Sequence, residues 1–159
     1  MLIYGKTYKT QVPLYLSSKN VNVVLDTLLP KQEQFSFVDL GSGCGGLLNN
    51  LAKVHKNGLF YGIESAPLPL LISKLRSLPN HGSCQIFWGS FWEYDLSQYD
   101  VVYAYLSPIP MESLWRKVSK EMRPGSLLIS NTFLIPGVTP HKSIQLNDFS
   151  NSTLYLWKI

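Results

Sequence analysis

The sequence predicts an α/β fold: a doubly wound, mostly parallel sheet that ends in an antiparallel hairpin. Three observations carry this expectation. Short apolar runs of strand length alternate with stretches whose apolar residues recur at helical spacing, an order that places helices on both faces of a parallel sheet. The run "FVDLGSGCGG" (37–46) passes from a strand into four glycines within six positions, then into a helical pattern. The last two strand-like runs, "HKSIQLN" (141–147) and "STLYLWKI" (152–159), lie four residues apart, which fits a hairpin and is too short for a helical crossover.

The elements follow in order. Residues 1–16 are polar and aromatic with Pro13 and read as an N-terminal arm; 17–159 read as one domain. Ser17 or Ser18 caps a helix carrying Val21, Val24, Leu25 and Leu28, which Pro30 stops. "SFVDLG" (36–41) is a short buried strand, and Leu47, Leu48, Leu51, Ala52 and Val54 form the next helical face. "GLFYGIES" (58–65) is the second strand. Pro67 starts a helix whose Leu68, Leu71, Ile72, Leu75 and Leu78 are expected to point inward. "CQIFWGS" (84–90) and "YDVVYAYLS" (99–107) are the third and fourth strands, with Asp100 marking the entry to the fourth. Pro110 begins a helix with Met111, Leu114, Trp115, Val118 and Met122, and "GSLLISNTF" (125–133) is the fifth strand.

Composition narrows the function classes. With 159 residues, 45% apolar and 15% charged, the chain can bury a full core and is too apolar for a disordered one. The net charge of +4 is scattered, its densest group being Arg116, Lys117, Lys120 and Arg123, which reads as a solvated helix face and not as a nucleic-acid patch. Cys44 and Cys84 have no metal spacing and fit a reducing compartment. No apolar run reaches the roughly 18 residues of a membrane span, and no secretion-signal pattern opens the sequence, so the expected location is cytoplasmic. His55, His81 and His141 have no partner spacing and read as surface histidines.

Strand, glycine loop and helix are the setting of a nucleotide cofactor. Glu64 closes the second strand 23 residues after Gly41, where a carboxylate can accept hydrogen bonds from both hydroxyls of a ribose. Gly41-Ser42-Gly43-Cys44-Gly45-Gly46 satisfies G-x-G-x-x-G, so a dinucleotide is one reading and S-adenosylmethionine another. Asp39, two residues before the first glycine, would repel a pyrophosphate and suits the ammonium of S-adenosylmethionine. The terminal hairpin and the lack of room for a second domain also weigh against a dinucleotide-dependent reductase.

At these residues the chain resembles a family. "DLGSGCGG" and "YGIES" look like class I S-adenosylmethionine-dependent methyltransferases. "QVPLYLSS", "YAYLSP", "KEMRPGSLLISNTFLIPG" and "LYLWKI" look like small bacterial relatives of the mitochondrial protein-lysine methyltransferases that act on the ATP synthase c-subunit or the adenine nucleotide translocase. The likeness runs from about residue 11 to 159. It implies a Rossmann-like seven-strand sheet of order 3-2-1-4-5-7-6. It implies cofactor contacts from Asp39, Gly41, Gly43 and Glu64, with Ser90, Phe91 and Trp92 flanking the adenine. Leu106, Ser107 and Pro108 would line the transfer site. The full candidate cofactor set is Asp39, Gly41, Ser42, Gly43, Cys44, Glu64, Ser65, Ser90 and Phe91; Tyr105, Ser107 and Pro108 are the candidate acceptor lining. Two positions depart from the subgroup: Cys44 and Ser90 stand where Asp is usual.

Methyl transfer from a sulfonium is a direct displacement, in which positioning is the principal requirement and no metal or covalent enzyme intermediate is needed. A lysine acceptor must lose its proton, which a desolvated aromatic slot favours; Tyr15, Trp92, Tyr103 and Tyr105 are candidates, with Tyr103 read as packing. Leu106-Ser107-Pro108-Ile109 is not the Asn/Asp-Pro-Pro-aromatic motif of adenine-N6 and glutamine methyltransferases. The expectation is therefore a methyltransferase that consumes S-adenosylmethionine, releases S-adenosylhomocysteine and acts on a protein lysine. A membrane-protein substrate follows from the resemblance alone. The alternatives are a small-molecule methyltransferase of the same fold and a cofactor-binding but inactive interaction domain.

Overall fold

The computed structural model describes residues 19–159; the arm at 1–16, the Ser17 or Ser18 cap and Tyr15 lie outside the described residues. The elements are α1 (Lys19–Leu28), β1 (Phe35–Leu40), α2 (Gly46–Val54), β2 (Gly58–Glu64), α3 (Pro67–Ser77), β3 (Cys84–Trp88), β4 (Val101–Ala104), α4 (Met111–Glu121), β5 (Leu127–Asn131), β6 (Lys142–Gln145) and β7 (Thr153–Lys158). They build one seven-stranded sheet of order β3-β2-β1-β4-β5-β7-β6. The first five strands pair in parallel, and β7 runs antiparallel to both β5 and β6. This is the Rossmann-like arrangement expected, with the C-terminal hairpin inserted as predicted.

The strands are apolar on both sides because the central sheet is covered on both sides. On one face α1 and α2 set Val21, Leu25, Leu48 and Leu51 against Phe37, Phe60 and Tyr103. On the other, Met111, Leu114 and Val118 of α4 cover Val38, Val102 and Leu128. The link from β3 to β4 crosses this second face without a long helix. Two single helical turns, Phe91–Glu93 and Leu96–Gln98, carry it, and buried Leu96 and Tyr99 fill the space. Asp100 holds the entry to β4, accepting from the Ser36 N–H at 2.8 Å and pairing with Arg123 at 2.8 Å. It marks the entry to β4, as expected, and ties that entry to β1. Tyr103 is packing: its ring stacks on Phe37, and its hydroxyl accepts from Asn131 Nδ2 at 3.0 Å.

Two sequence readings are corrected. Leu68, Leu71, Leu75 and Leu78 do not point inward; they are exposed, and the buried residues of α3 are Ser73 and Ser77. Apolar periodicity finds a helix's stripe but not what the stripe faces. Here the axis runs so close to the glycine loop that only a small residue fits beneath it. A Cβ built on Gly45 would lie 2.2 Å from Ser73 Oγ and 3.3 Å from the Ser73 backbone. His55 is also no surface residue. It is buried beside Asp26 (3.0 Å) with its ring edge-on to Phe35, and burial holds it below the usual histidine range.

The Gly45–Ser73 contact gives a direct prediction. Gly45 has φ +70°, so Gly45→Ala adds left-handed strain to the clash and is expected to cost about 2–4 kcal/mol in urea unfolding. Adding Ser73→Gly should recover the packing part and leave the backbone part. No recovery in the double variant would mean that α3 is not held against this loop.

Candidate active site

The carboxyl ends of β1, β2 and β3 are joined by their own backbone. The Ile63 carbonyl accepts from the N–H groups of Gly41 (2.9 Å) and Ser42 (3.1 Å), and the Glu64 carbonyl accepts from Gly89 N–H (3.1 Å). Gly41, Gly43 and Gly45 alternate in the left-handed region with φ of 76°, 54° and 70°, which folds residues 41–45 into a tight concave loop ahead of α2. Glu64 braces that loop: Oε2 accepts from Gly43 N–H at 2.7 Å, and Oε1 accepts from Ala66 N–H at 2.7 Å. Each oxygen keeps a second lone pair for a ligand.

Asp39 lies at the end of β1, only 5% exposed. Burial, and secondarily the charge of Glu64, push its carboxyl up to about 8. Two carboxyl groups at adjacent strand ends thus share one desolvated crevice, a costly arrangement for a chain that binds nothing there and a suitable one for a cation.

The other predicted residues divide into groups. Ser42 is buried against β2, where a Cβ on Gly62 would lie 2.6 Å from Ser42 Oγ, and that hydroxyl has no hydrogen-bond partner among the described residues. The Cys44 carbonyl accepts from Arg76 Nη1 at 3.2 Å, a tether from α3 that sequence reasoning missed, since nothing in the spacing links the two. Cys84 is buried, its thiol pushed up to about 11 by desolvation, and both cysteines are free. Ser65 is exposed just beyond Glu64, and Ser90 is half-buried after β3. Phe91 is half-buried against Trp92, with ring centroids 4.6 Å apart, on the α4 side of the sheet.

Beyond β4, Tyr105 is half-buried against the α1–α2 core, Ser107 is buried and Pro108 is exposed. The Ser107 hydroxyl has no hydrogen-bond partner among the described residues. A buried hydroxyl normally finds one, so this group is a candidate for a ligand contact. β4 is the direct neighbour of β1, with Ala104 opposite Leu40, which sets Ser107 along the same edge as the glycine loop.

The donors and acceptors fit an adenosyl amino acid: carboxyl groups for an ammonium and for paired sugar hydroxyls, main-chain N–H groups in a concave loop, and beyond β4 a hydroxyl without a partner among the described residues. Among the described residues, no group of three or more His, Cys, Asp or Glu could hold a metal, and no helix is long and apolar enough to cross a membrane.

Comparison with known proteins agrees with this outline. Residues 39–142 match the family described as the ANTKMT methyltransferase domain. A protein-lysine N-methyltransferase of Saccharolobus islandicus is 31% identical over 124 residues, spanning 76% of this chain and 77% of that protein. Among solved structures, an RNA methyltransferase from Salinibacter ruber in complex with S-adenosylhomocysteine superposes with a TM-score of 0.81 at 24% identity, covering 91% of this chain and 94% of the other. A methyltransferase from Thiobacillus denitrificans, also with S-adenosylhomocysteine, has a TM-score of 0.61 at 19% identity, covering 72% of this chain and 48% of its own. These two share the fold. The sheet order, the loop braced by Glu64 and the match over residues 39–142 converge on one conclusion: the chain belongs to the ANTKMT methyltransferase domain family and is an S-adenosylmethionine-dependent methyltransferase.

Proposed function

We propose that the enzyme N-methylates a protein lysine, with Asp39, Glu64 and the 41–45 loop holding the cofactor. The observation that carries the cofactor assignment is the pair of buried carboxyl groups at adjacent strand ends, one of them braced against the loop. The lysine assignment is supported by the 31% identical relative, which is named for that reaction.

In this reading Glu64 grips the ribose hydroxyls while keeping the loop closed through Gly43 N–H. Asp39 answers the ammonium. Ser65, Ser90 and Phe91 border the base, and Gly41, Gly43 and the Ser42 and Cys44 backbone hold the amino-acid end. The bound cofactor supplies a methyl group on positively charged sulfur, which leaves as a neutral thioether. Tyr105, Ser107 and Pro108 line the acceptor's approach. The substrate amine must arrive neutral, because its lone pair forms the new N–C bond; after transfer it sheds a proton to water. In this reading Ser107 Oγ, buried and without a partner among the described residues, accepts from that amine and fixes its direction, the positioning on which an in-line displacement depends.

The test is mass spectrometry of a cell extract incubated with isotopically labelled S-adenosylmethionine and the purified enzyme, with Glu64→Ala as control. Label on lysine side chains that disappears with Glu64→Ala is the expected result. Label confined to small molecules would give the reaction to the other branch of the fold, and no label in either arm would count against turnover.

A further inference from the structure

α3 is inverted for an amphipathic helix. Its core-facing side is Leu70, partly buried, with Ser73 and Ser77, while Leu68, Leu71 and Leu75, with Leu78 just beyond it, stand 56%, 56%, 60% and 65% exposed. Their spacing, three, four and three residues, keeps them on one line along the outer face. Trp88, 67% exposed, ends the edge strand β3 and leaves the sheet on the same side as Cys84 and Ile86, the side α3 covers. Single exposed leucines need no explanation, but an unbroken stripe along a helix marks a contact surface.

Charge identifies what would cover it. Lys74 and Arg76 flank the stripe, and Lys53 and Lys56 are exposed at the end of the adjoining α2. Between Asp39 and Glu93 along the chain the only carboxylate is Glu64, which is buried, and Asp26, which reaches the end of α2 beside His55, is already paired with Lys31 at 2.8 Å. A second copy docking through the same patch would set these cations against their own equivalents, with only the already paired Asp26 near them. The chain's own residues 1–18 carry Lys6 and Lys9 and no acid, so they offer no complement either. A surface that is apolar below and negative above satisfies both properties, and an anionic bilayer has that layering.

We propose that α3 docks the enzyme on anionic membranes, its leucine stripe at the acyl boundary and Lys53, Lys56, Lys74 and Arg76 against the headgroups. Because Ala66, at the head of α3, is bonded to Glu64, docking sets the methyl-transfer crevice beside the bilayer surface. This inference stands apart from the choice of acceptor.

Co-sedimentation of the full chain with phosphatidylcholine vesicles, with and without phosphatidylserine, tests it. Binding is expected with phosphatidylserine, to weaken with added salt, and to be much lower on phosphatidylcholine alone. The double variant Leu71→Gln/Leu75→Gln should lower partitioning about tenfold or more, and Lys74→Ala roughly fivefold. Both variants should keep S-adenosylhomocysteine affinity, because none of the three residues belongs to the crevice. No binding by the unaltered protein, or equal binding by the double variant, would overturn the proposal. So would a dimer in sedimentation velocity that the leucine substitutions dissolve, or α3 hydrogen exchange that rises when residues 1–16 are removed. Those two results would give the face to a second copy or to the chain's own amino-terminal segment.

Discussion

Glu64→Ala is expected to weaken S-adenosylhomocysteine binding by about a hundredfold or more in calorimetry, because two charge-assisted hydrogen bonds of roughly 1.5–3 kcal/mol each lose their acceptor. The side chain serves two ends. In the proposed role it accepts from sugar hydroxyls, and in the fold it accepts from Gly43 N–H and Ala66 N–H, each at 2.7 Å. Its removal leaves two main-chain donors without a partner at the mouth of the crevice, so a stability loss of about 1–3 kcal/mol should accompany the loss of affinity. Glu64→Gln separates the two effects. The amide keeps one acceptor oxygen but turns an NH2 group toward a site that now supplies N–H or O–H donors, so an intermediate loss of affinity is expected. If Glu64→Ala loses the expected stability but binds as tightly as the unaltered enzyme, the acid is only a loop brace and the ribose is held elsewhere.

Asp39 should make cofactor binding depend on pH. Its ordinary value of 3.8 in the unfolded chain rises to about 8 in the fold, because burial and the neighbouring Glu64 both disfavour the carboxylate. The folded enzyme therefore holds one proton more than the unfolded chain between those two values. The stabilisation from this group is complete below about pH 4 and is lost as pH rises through about 8. A positively charged ligand reverses the preference, since it binds the ionised form. Affinity should then rise by about tenfold per pH unit between roughly pH 6 and 7, with close to one proton released per ligand bound. Calorimetry at pH 7 in buffers of different ionisation enthalpy reads that proton directly. Asp39→Asn keeps the shape and removes the titration. It should abolish the released proton, lower affinity by about ten- to a hundredfold, and flatten the decline of unliganded stability between pH 6 and 8. An unchanged proton count in Asp39→Asn would show that another group answers the ligand's charge.

Much of this enzyme can be read from local signals because those signals have local causes. The strands and helices that alternate through β5 follow from apolar runs of strand length and apolar residues at helical spacing. The hairpin follows from a gap too short for a crossover. The glycine loop and Glu64 were legible because a strand-to-helix turn that must present bare N–H groups tolerates few residues, and the acid that answers it sits at the end of the next strand.

What stayed hidden depends on which surfaces meet. Periodicity put a leucine stripe on α3 but could not say that Gly45 and Ser73 bring the helix in on its polar edge, leaving the leucines outside. Nothing between Arg76 and Cys44 in the chain announces their hydrogen bond, and the sealing of His55 and Ser107 from solvent depends on neighbours supplied by distant segments. A residue's own neighbours in sequence set its backbone; its burial, its partners and the charge it can carry are set by whatever the assembled sheet happens to place against it.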